Sequence, residues 1–239
     1  MCTLTYLPTA TGFIFTSNRD EDRERQQALF PSEAQSHTGK LLMPLDPQGG
    51  GTWILLCENG EAACLLNGAF QNHVRRPPYR KSRGRVIVES FDYEDIHAFI
   101  ADYNFDQIEP FTLVRVDRAR QLHEIRWDAH ELHHQQHDGD RPRIWSSVTL
   151  YDELMRAKRQ EWFGNWLAQQ PEFSPENIRD FHLHGGEGDP EVDFRMTRSG
   201  GLQTLSLSCI SVEAESAEFY YHYLAEDRPE IKAMSLNRR

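Results

Sequence analysis

Cys2 stands directly after the initiator methionine, and that position can place two reactive groups on one residue. Cysteine is small enough for methionine aminopeptidase to remove Met1. The mature chain would then begin with a thiol and a free α-amine. An α-amine titrates at about 7.7–8.0 and a thiol at about 8.5, so the amine can act as base for the thiol near neutral pH. The thiolate is the attacking form.

A second run could serve that thiol. Asn18-Arg19-Asp20-Glu21 follows the apolar stretch Phe13-Ile14-Phe15. If residues 2–7 and 13–18 form a hairpin about the turn at 8–12, the end of the second strand returns beside the start of the chain. A guanidinium there favours and orients a thiolate. A carboxylate there, from Asp20, Glu21 or Asp22, holds the α-amine in place. The competing reading is a solvated charged loop over 18–25, NRDEDRER.

The remaining elements follow from pattern. Thr52–Cys57 and Glu61–Asn67 flank Asn59-Gly60, a strong hairpin signal. A two-residue loop there sets Cys57 opposite Ala62 and Cys64 opposite Leu55. The two thiols would then share a face at roughly 7–8 Å, too far for an unstrained disulfide. Both strands are apolar on both faces, which predicts a sheet covered on each side. Tyr93–Tyr103 has helical spacing, as does Val148–Gln169, whose Leu150, Leu154, Met155, Trp162, Phe163, Trp166 and Leu167 predict a buried stripe. Phe111–Asp117 with Gln121–Trp127 reads as a strand pair. Pro175–His184 reads as a short helix, its terminal His182 and His184 suited to the helix dipole. Leu202–Val212 and Glu218–Leu224 read as closing strands.

The 239 residues suit one large domain over 1–239, and 13 Phe, 8 Tyr and 5 Trp can fill its core. The formal charge of -11 argues against a nucleic-acid backbone as partner. No run is long enough to span a membrane, and the first residues lack the basic and apolar regions of a signal peptide, so a cytoplasmic protein is expected. Cys57, Cys64 and Cys209 read as small core residues.

Five short motifs occur together: Met1-Cys2, Asn18-Arg19-Asp20-Glu21, Gly50-Gly51-Thr52-Trp53, Leu65-Leu66-Asn67 and Ser82-Arg83-Gly84. In order and spacing the first ninety residues resemble the NRDE family, also called the transport and Golgi organization protein 2 family. That family is similar to the cysteine N-terminal-nucleophile amidases, such as bile-salt and penicillin V amide hydrolases. The resemblance implies an α+β fold, a four-layer αββα sandwich of two antiparallel sheets. It implies hydrolysis of a linear amide C–N bond in a small acyl-amide through an acyl-Cys2 intermediate, with no cofactor.

Carried over residue by residue, Cys2 is the nucleophile, Arg19 lies against the thiolate, Asp20 anchors the amine and Asn67 supplies an oxyanion-hole donor. Asp20 directly follows the arginine as in the family, whereas the amidases place their acid three residues after it, which would be Asp22. Asn67 beside Gly68 also suits a plain turn residue. The amidases carry a second asparagine in mid-chain; here Ser147 stands in its place, and Arg198 matches a late arginine, both expected near substrate. The alternative function is a non-catalytic ligand-handling protein (haem, lipid or secretory trafficking) using the same pocket.

Three other signals carry less. His130-Glu131-Leu132-His133-His134 matches HExxH, but that motif binds zinc only on a helix, and its neighbours here are strand-like and turn-like, so no metal site is expected. Gly49-Gly50-Gly51 lacks the context of a phosphate loop. Tyr220-Tyr221-His222-Tyr223 reads as an aromatic edge strand rather than a stacking surface.

Overall fold

A computed structural model describes residues 3–170 and 172–237, so Cys2 lies outside the described residues. Among those residues, thirteen strands form two antiparallel sheets. Labelled in chain order, the first sheet contains β1 (Thr3–Pro8), β2 (Phe13–Asp22), β10 (Arg143–Ser146), β11 (Leu202–Val212), β12 (Ser216–Tyr223) and β13 (Arg228–Ser235), in the order β10-β1-β2-β11-β12-β13. The second runs β3 (Leu29–Ser36), β4 (Gly39–Leu45), β5 (Ile54–Cys57), β6 (Ala62–Asn67), β7 (Phe111–Val116), β8 (Leu122–Trp127) and β9 (Leu132–His137), in chain order. Helices α1 (Arg83–Glu89) and α2 (Ile96–Asp102) cover the second sheet. Helices α3 (Glu153–Leu167) and α4 (Pro175–His184) cover the first. This is the expected αββα sandwich.

Alternation along the strands explains the layering. Leu4, Tyr6, Phe13 and Phe15 of the first sheet, with Ile210 and Phe219, pack in the large core shared with the second sheet. Leu7, Ile14 and Cys209 pack in a separate cluster with Phe163, Ile178, Phe181 and Phe194 under α3 and α4. Both sheets are therefore buried on two faces, as the doubly apolar hairpin implies. Glu124 fastens one edge: it accepts from Trp145 Nε1 of β10 (2.6 Å) and pairs with His137 Nε2 of β9 (2.9 Å), so each sheet contributes a donor.

The expected N-terminal hairpin is present, with Thr3 opposite Asn18, but β2 continues to Asp22. Asn18, Arg19 and Asp20 are 1%, 3% and 1% exposed, so the head of the charged run is a central strand and no loop. The second hairpin differs in register. Its loop is Glu58-Asn59-Gly60, with Gly60 at φ 91° and Cys57 N donating to Glu61 O (2.8 Å), a three-residue turn. Ile54 thus faces Cys64 and Leu56 faces Ala62, and the two thiols lie on opposite faces. Cys57, Cys64 and Cys209 are buried free thiols.

Caps decide the helix boundaries. Asp95 accepts from His97 N and Ala98 N, so α2 begins only at Ile96. Asp152 accepts from Met155 N, so α3 begins at Glu153 and residues 148–152 remain a loop. Leu154 is 71% exposed and leaves the expected stripe, while Arg159 is fully buried in it. Ser174 caps α4, with Pro175 in the first turn. Strand β12 is flanked by β13 and is not an edge. His133 and His134 lie on strand β9, and His130 in the turn before it.

His182 overturns a simple helix-end reading. It is buried, with Nδ1 2.8 Å from Asn18 Oδ1 and Nε2 2.8 Å from Thr5 Oγ1. The Asn18 amide donates to His182 O and Phe194 O, so its oxygen must accept from Nδ1–H, and Nε2 accepts from Thr5. Burial, assisted by the charge of Arg159, pushes His182 down to about 3. A histidine depressed in the folded state binds protons more readily when unfolded. Its contribution is complete above the unfolded value near 6.5 and is lost as pH falls from there toward about 3. At pH 5 the loss is about 2 kcal/mol. Urea unfolding of the native protein and of His182→Gln between pH 7 and pH 4.5 checks this: the variant's stability should depend less steeply on pH.

Candidate functional site

A cleft of about 740 Å³ opens at the C-terminal end of β2. Arg19 and Glu21 reach it from β2, Trp53 from the approach to β5, and Asn67 from the end of β6. Arg19 is held from two sides. Its guanidinium carbon lies 4.7 Å from the centre of the Trp53 ring, and Nη2 is 3.6 Å from Asp46 Oδ2. Arg25 binds the same Asp46 oxygen at 2.6 Å. Burial alone would raise the Asp46 carboxyl. The Arg25 hydrogen bond and charge, the Gly49 N–H and Arg19 outweigh that and hold it below the usual carboxylate range.

Asp20 is the buried carboxylate of the acidic run. It accepts from Tyr151 Oη at 2.8 Å and from Thr204 Oγ1. Asp22 is exposed and serves a local turn, accepting from Glu24 N, while Glu21 is half-buried at the cleft. Beyond Asn67, Gly68 takes φ 80°, with its N–H on Pro110 O and its carbonyl accepting from Thr112 Oγ1. That turn aims the strand end. Ser147 is buried, donates to Asn67 O (2.9 Å) and meets Thr149 Oγ1 (3.0 Å). It lines a second cavity of about 150 Å³ that shares Asn67 with the main cleft. Arg198 does not line either cavity: it donates to Leu150 O and Glu191 O, bracing the wall loop from behind.

Two of the sequence motifs meet in space. Ser82 Oγ donates to Gly49 O, and Thr52 N donates to Gly84 O (3.0 Å). A Cβ on Gly51 would lie 2.2 Å from the Gly84 carbonyl. The glycines are thus required where two backbones touch, and the contact places Thr52, Trp53 and the segment before α1 around the cleft.

Ser82-Arg83-Gly84 is legible as a motif, but the charge of the segment around it was not read. Residues 75–85 hold Arg75, Arg76, Arg80, Lys81, Arg83 and Arg85, and no acid occurs between Glu61 and Glu89. A basic block in a chain of charge -11 is a readable signal. Arg75, Arg80, Lys81 and Arg83 all line the cleft, as does His73. Glu109 collects His73 Nε2 (3.2 Å), Arg75 Nε (3.2 Å) and Arg83 Nη2 (3.3 Å).

With this geometry in view, comparison with known proteins decides the family. The model of the Transport and Golgi organisation 2 family matches residues 1–162. The chain belongs to the Transport and Golgi organisation 2 family. No curated protein matches it. Solved structures show the fold. A mutant conjugated bile acid hydrolase from Clostridium perfringens has a TM-score of 0.55 at 11% identity, covering 100% of this chain and 98% of its own. Penicillin V acylase from Agrobacterium tumefaciens gives 0.53 at 10%, covering 98% and 86%. A Caenorhabditis elegans ortholog of N-acylethanolamine-hydrolyzing acid amidase gives 0.58 at 11%, covering 87% and 92%. The family member described here therefore has the fold of the N-terminal-nucleophile hydrolases. No helix among the described residues is long and apolar enough to cross a membrane.

The Gly51–Gly84 contact is directly testable. Gly51→Ala forces two backbones apart, and overpacking of this kind costs about 1–3 kcal/mol. Thermal unfolding should show the loss, and fluorescence of Trp53 against a Trp53→Phe background should show the cleft wall displaced.

Proposed function

We propose that this protein is a cysteine N-terminal-nucleophile hydrolase that cleaves the linear amide C–N bond of a small acyl-amide. Cys2, freed of Met1, is the nucleophile and its α-amine the base. The observation that carries this reading is the pairing of β1 with β2. Thr3, the first described residue of β1, lies opposite Asn18, so β1 begins beside the strand end that carries Arg19 into the cleft and holds the buried Asp20.

In this reading the amine takes the Sγ proton as Sγ attacks the carbonyl carbon. A C–S bond forms and the oxygen becomes an oxyanion, which accepts from the Asn67 amide. Arg19 favours the thiolate and Asp20 orients the amine, with Tyr151 and Thr204 fixing the carboxylate in turn. The tetrahedral intermediate collapses, the C–N bond breaks, and the α-ammonium gives its proton to the departing amine. Water then adds to the thioester, the C–S bond breaks, and the acid leaves with the thiol restored. Ser147 and Arg198 serve substrate binding indirectly, Ser147 by holding the Asn67 strand end and Arg198 by holding the Leu150 wall. The reaction draws on no metal or cofactor, and a cytoplasmic setting suits a free thiol.

Intact mass and a panel of acyl-amides test the reading. The mature protein should lack Met1 and release amine, and Cys2→Ala should release none. Asn67→Ala should lower kcat by about 10²–10³-fold. Retention of Met1 together with no cleavage of any amide would overturn the hydrolase in favour of a ligand-handling protein.

A further inference from the structure

The charge of the cleft runs against that of the molecule. Its lining carries the cations Arg19, Arg25, Arg75, Arg80, Lys81 and Arg83 against the carboxylates Glu21, Asp46 and Glu109, in a chain of net charge -11. The carboxylates are shared. Asp46 serves Arg19 and Arg25, while Glu109 serves Arg75 and Arg83 as well as His73. Lys81 is neutralised by Glu89 at 2.7 Å. Arg80 gives its hydrogen bonds to the carbonyls of Asp106 and Asn104, and among the described residues no carboxylate pairs with it.

A second observation comes from hydrogen bonding. Trp53 is 4% exposed and lines the cleft, yet its Nε1–H has no acceptor among the described residues. The buried Nε–H of Arg25, also in the lining, has none either. A buried donor left unpaired costs about 1–3 kcal/mol, so native structures rarely leave one without a purpose. Two such donors beside a surplus of guanidinium groups describe a place for an acceptor-rich anion.

We infer that the substrate carries an anionic oxygen group, a carboxylate or a phosphate, and that the arginine-lined side of this cleft receives it. The assignment rests on the hydrolase reading for the word substrate, but its physical content is binding. Arg75 and Arg80 stand exposed on the segment before α1 and meet the anion first, and Arg25 and Trp53, less exposed in the same lining, carry the unpaired donors. Glu21, a carboxylate of the same lining, repels an anion, so the arginine-lined side is the one that receives it.

Equilibrium binding to the Cys2→Ala protein separates this assignment from turnover. Four probes share an eight-carbon chain: N-octanoyl-β-alanine, N-octanoyl-aminoethyl phosphate, glutaric acid mono-octylamide and the neutral N-octanoyl-ethanolamine. The first three place the anion on the amine side or the acyl side and distinguish carboxylate from phosphate. At least one anionic probe should bind ten-fold or more tightly than the neutral one, and the preference should weaken with added salt. In the Arg75→Gln/Arg80→Gln protein the preference should fall to within about twofold, while Arg228→Gln, on β13 and outside the lining, should retain it. Equal binding of all four probes, or a preference untouched by the double substitution, overturns the inference. Selective anion binding with no amide cleaved by the mature protein would leave it standing and sink the hydrolase instead.

Discussion

Asn18, Arg19 and Asp20 are consecutive and buried at the centre of a sheet, and that places a strict demand on everything around them. A polar side chain removed from water must find partners, and a charged one must find them more completely. Strand alternation sends neighbouring side chains to opposite faces, so these three cannot be satisfied from one layer. Asn18 is met by His182 and the carbonyl of Phe194 on the α4 side. Arg19 is met by Trp53 and Asp46 from the second sheet and its approach. Asp20 is met by Tyr151 and Thr204, from the loop before α3 and from β11. A short polar run thereby fixes the position of three layers against one strand.

The same economy governs the charges of the cleft. Asp46 and Glu109 each hold more than one cation, so mutual repulsion among the arginines is reduced without being cancelled. The two carboxylates differ in their supports. Asp46 also accepts from the N–H groups of Gln48 and Gly49, which ties it to the Gly49–Gly51 turn. The glycine run is therefore an anchor for the counter-ion of Arg19, and its other end is the backbone contact with Gly84. Substituting either glycine would disturb charge placement as well as packing, although neither carries a side chain.

How much of this was legible in the sequence depended on whether the signal was local. Leu202–Val212 and Pro175–His184 were read with the bounds that the fold shows, because length, capping and pattern agree there. The hairpin at Asn59-Gly60 was read with the wrong register: Asn-Gly favours a two-residue turn, but the Asn59 side chain binds Glu61 N and its carboxylate, and the loop closes with three. The histidines of β9 were read as strand residues, but β3, β4, β10 and β13 were not found: β4 is an apolar run without alternation, β10 is four residues long, and β3 and β13 mix polar residues with the exposed Leu29 and Ile231. The family motifs pointed to Arg19 and Asn67, which line one cleft, and to Asp20 beside Arg19 on β2, but no local pattern could show that Ser147 would bind the Asn67 backbone or that Arg198 would sit behind the wall. Those are long-range contacts, made by residues eighty and forty-eight positions apart.

His182 shows the limit of local reading most clearly. At the end of a helix the dipole favours a charged histidine when the ring is exposed, and His184 is exposed there, 3.7 Å from Asp180. For His182 the same helix turns inward, and desolvation dominates: the ring is neutral, acting as donor to Asn18 and acceptor to Thr5. Two residues, about half a turn of helix, separate the buried histidine from the exposed one. The asymmetry has a structural consequence at the other end of the contact. Because the ring fixes the Asn18 carboxamide, the amide N–H groups must point at the carbonyls of His182 and Phe194, and β2 cannot slip by one residue without stranding all three groups. Register at Asn18 is register at Arg19 and Asp20, so a neutral histidine on the outer layer holds Arg19, at the cleft, and the buried Asp20 beside it in their places.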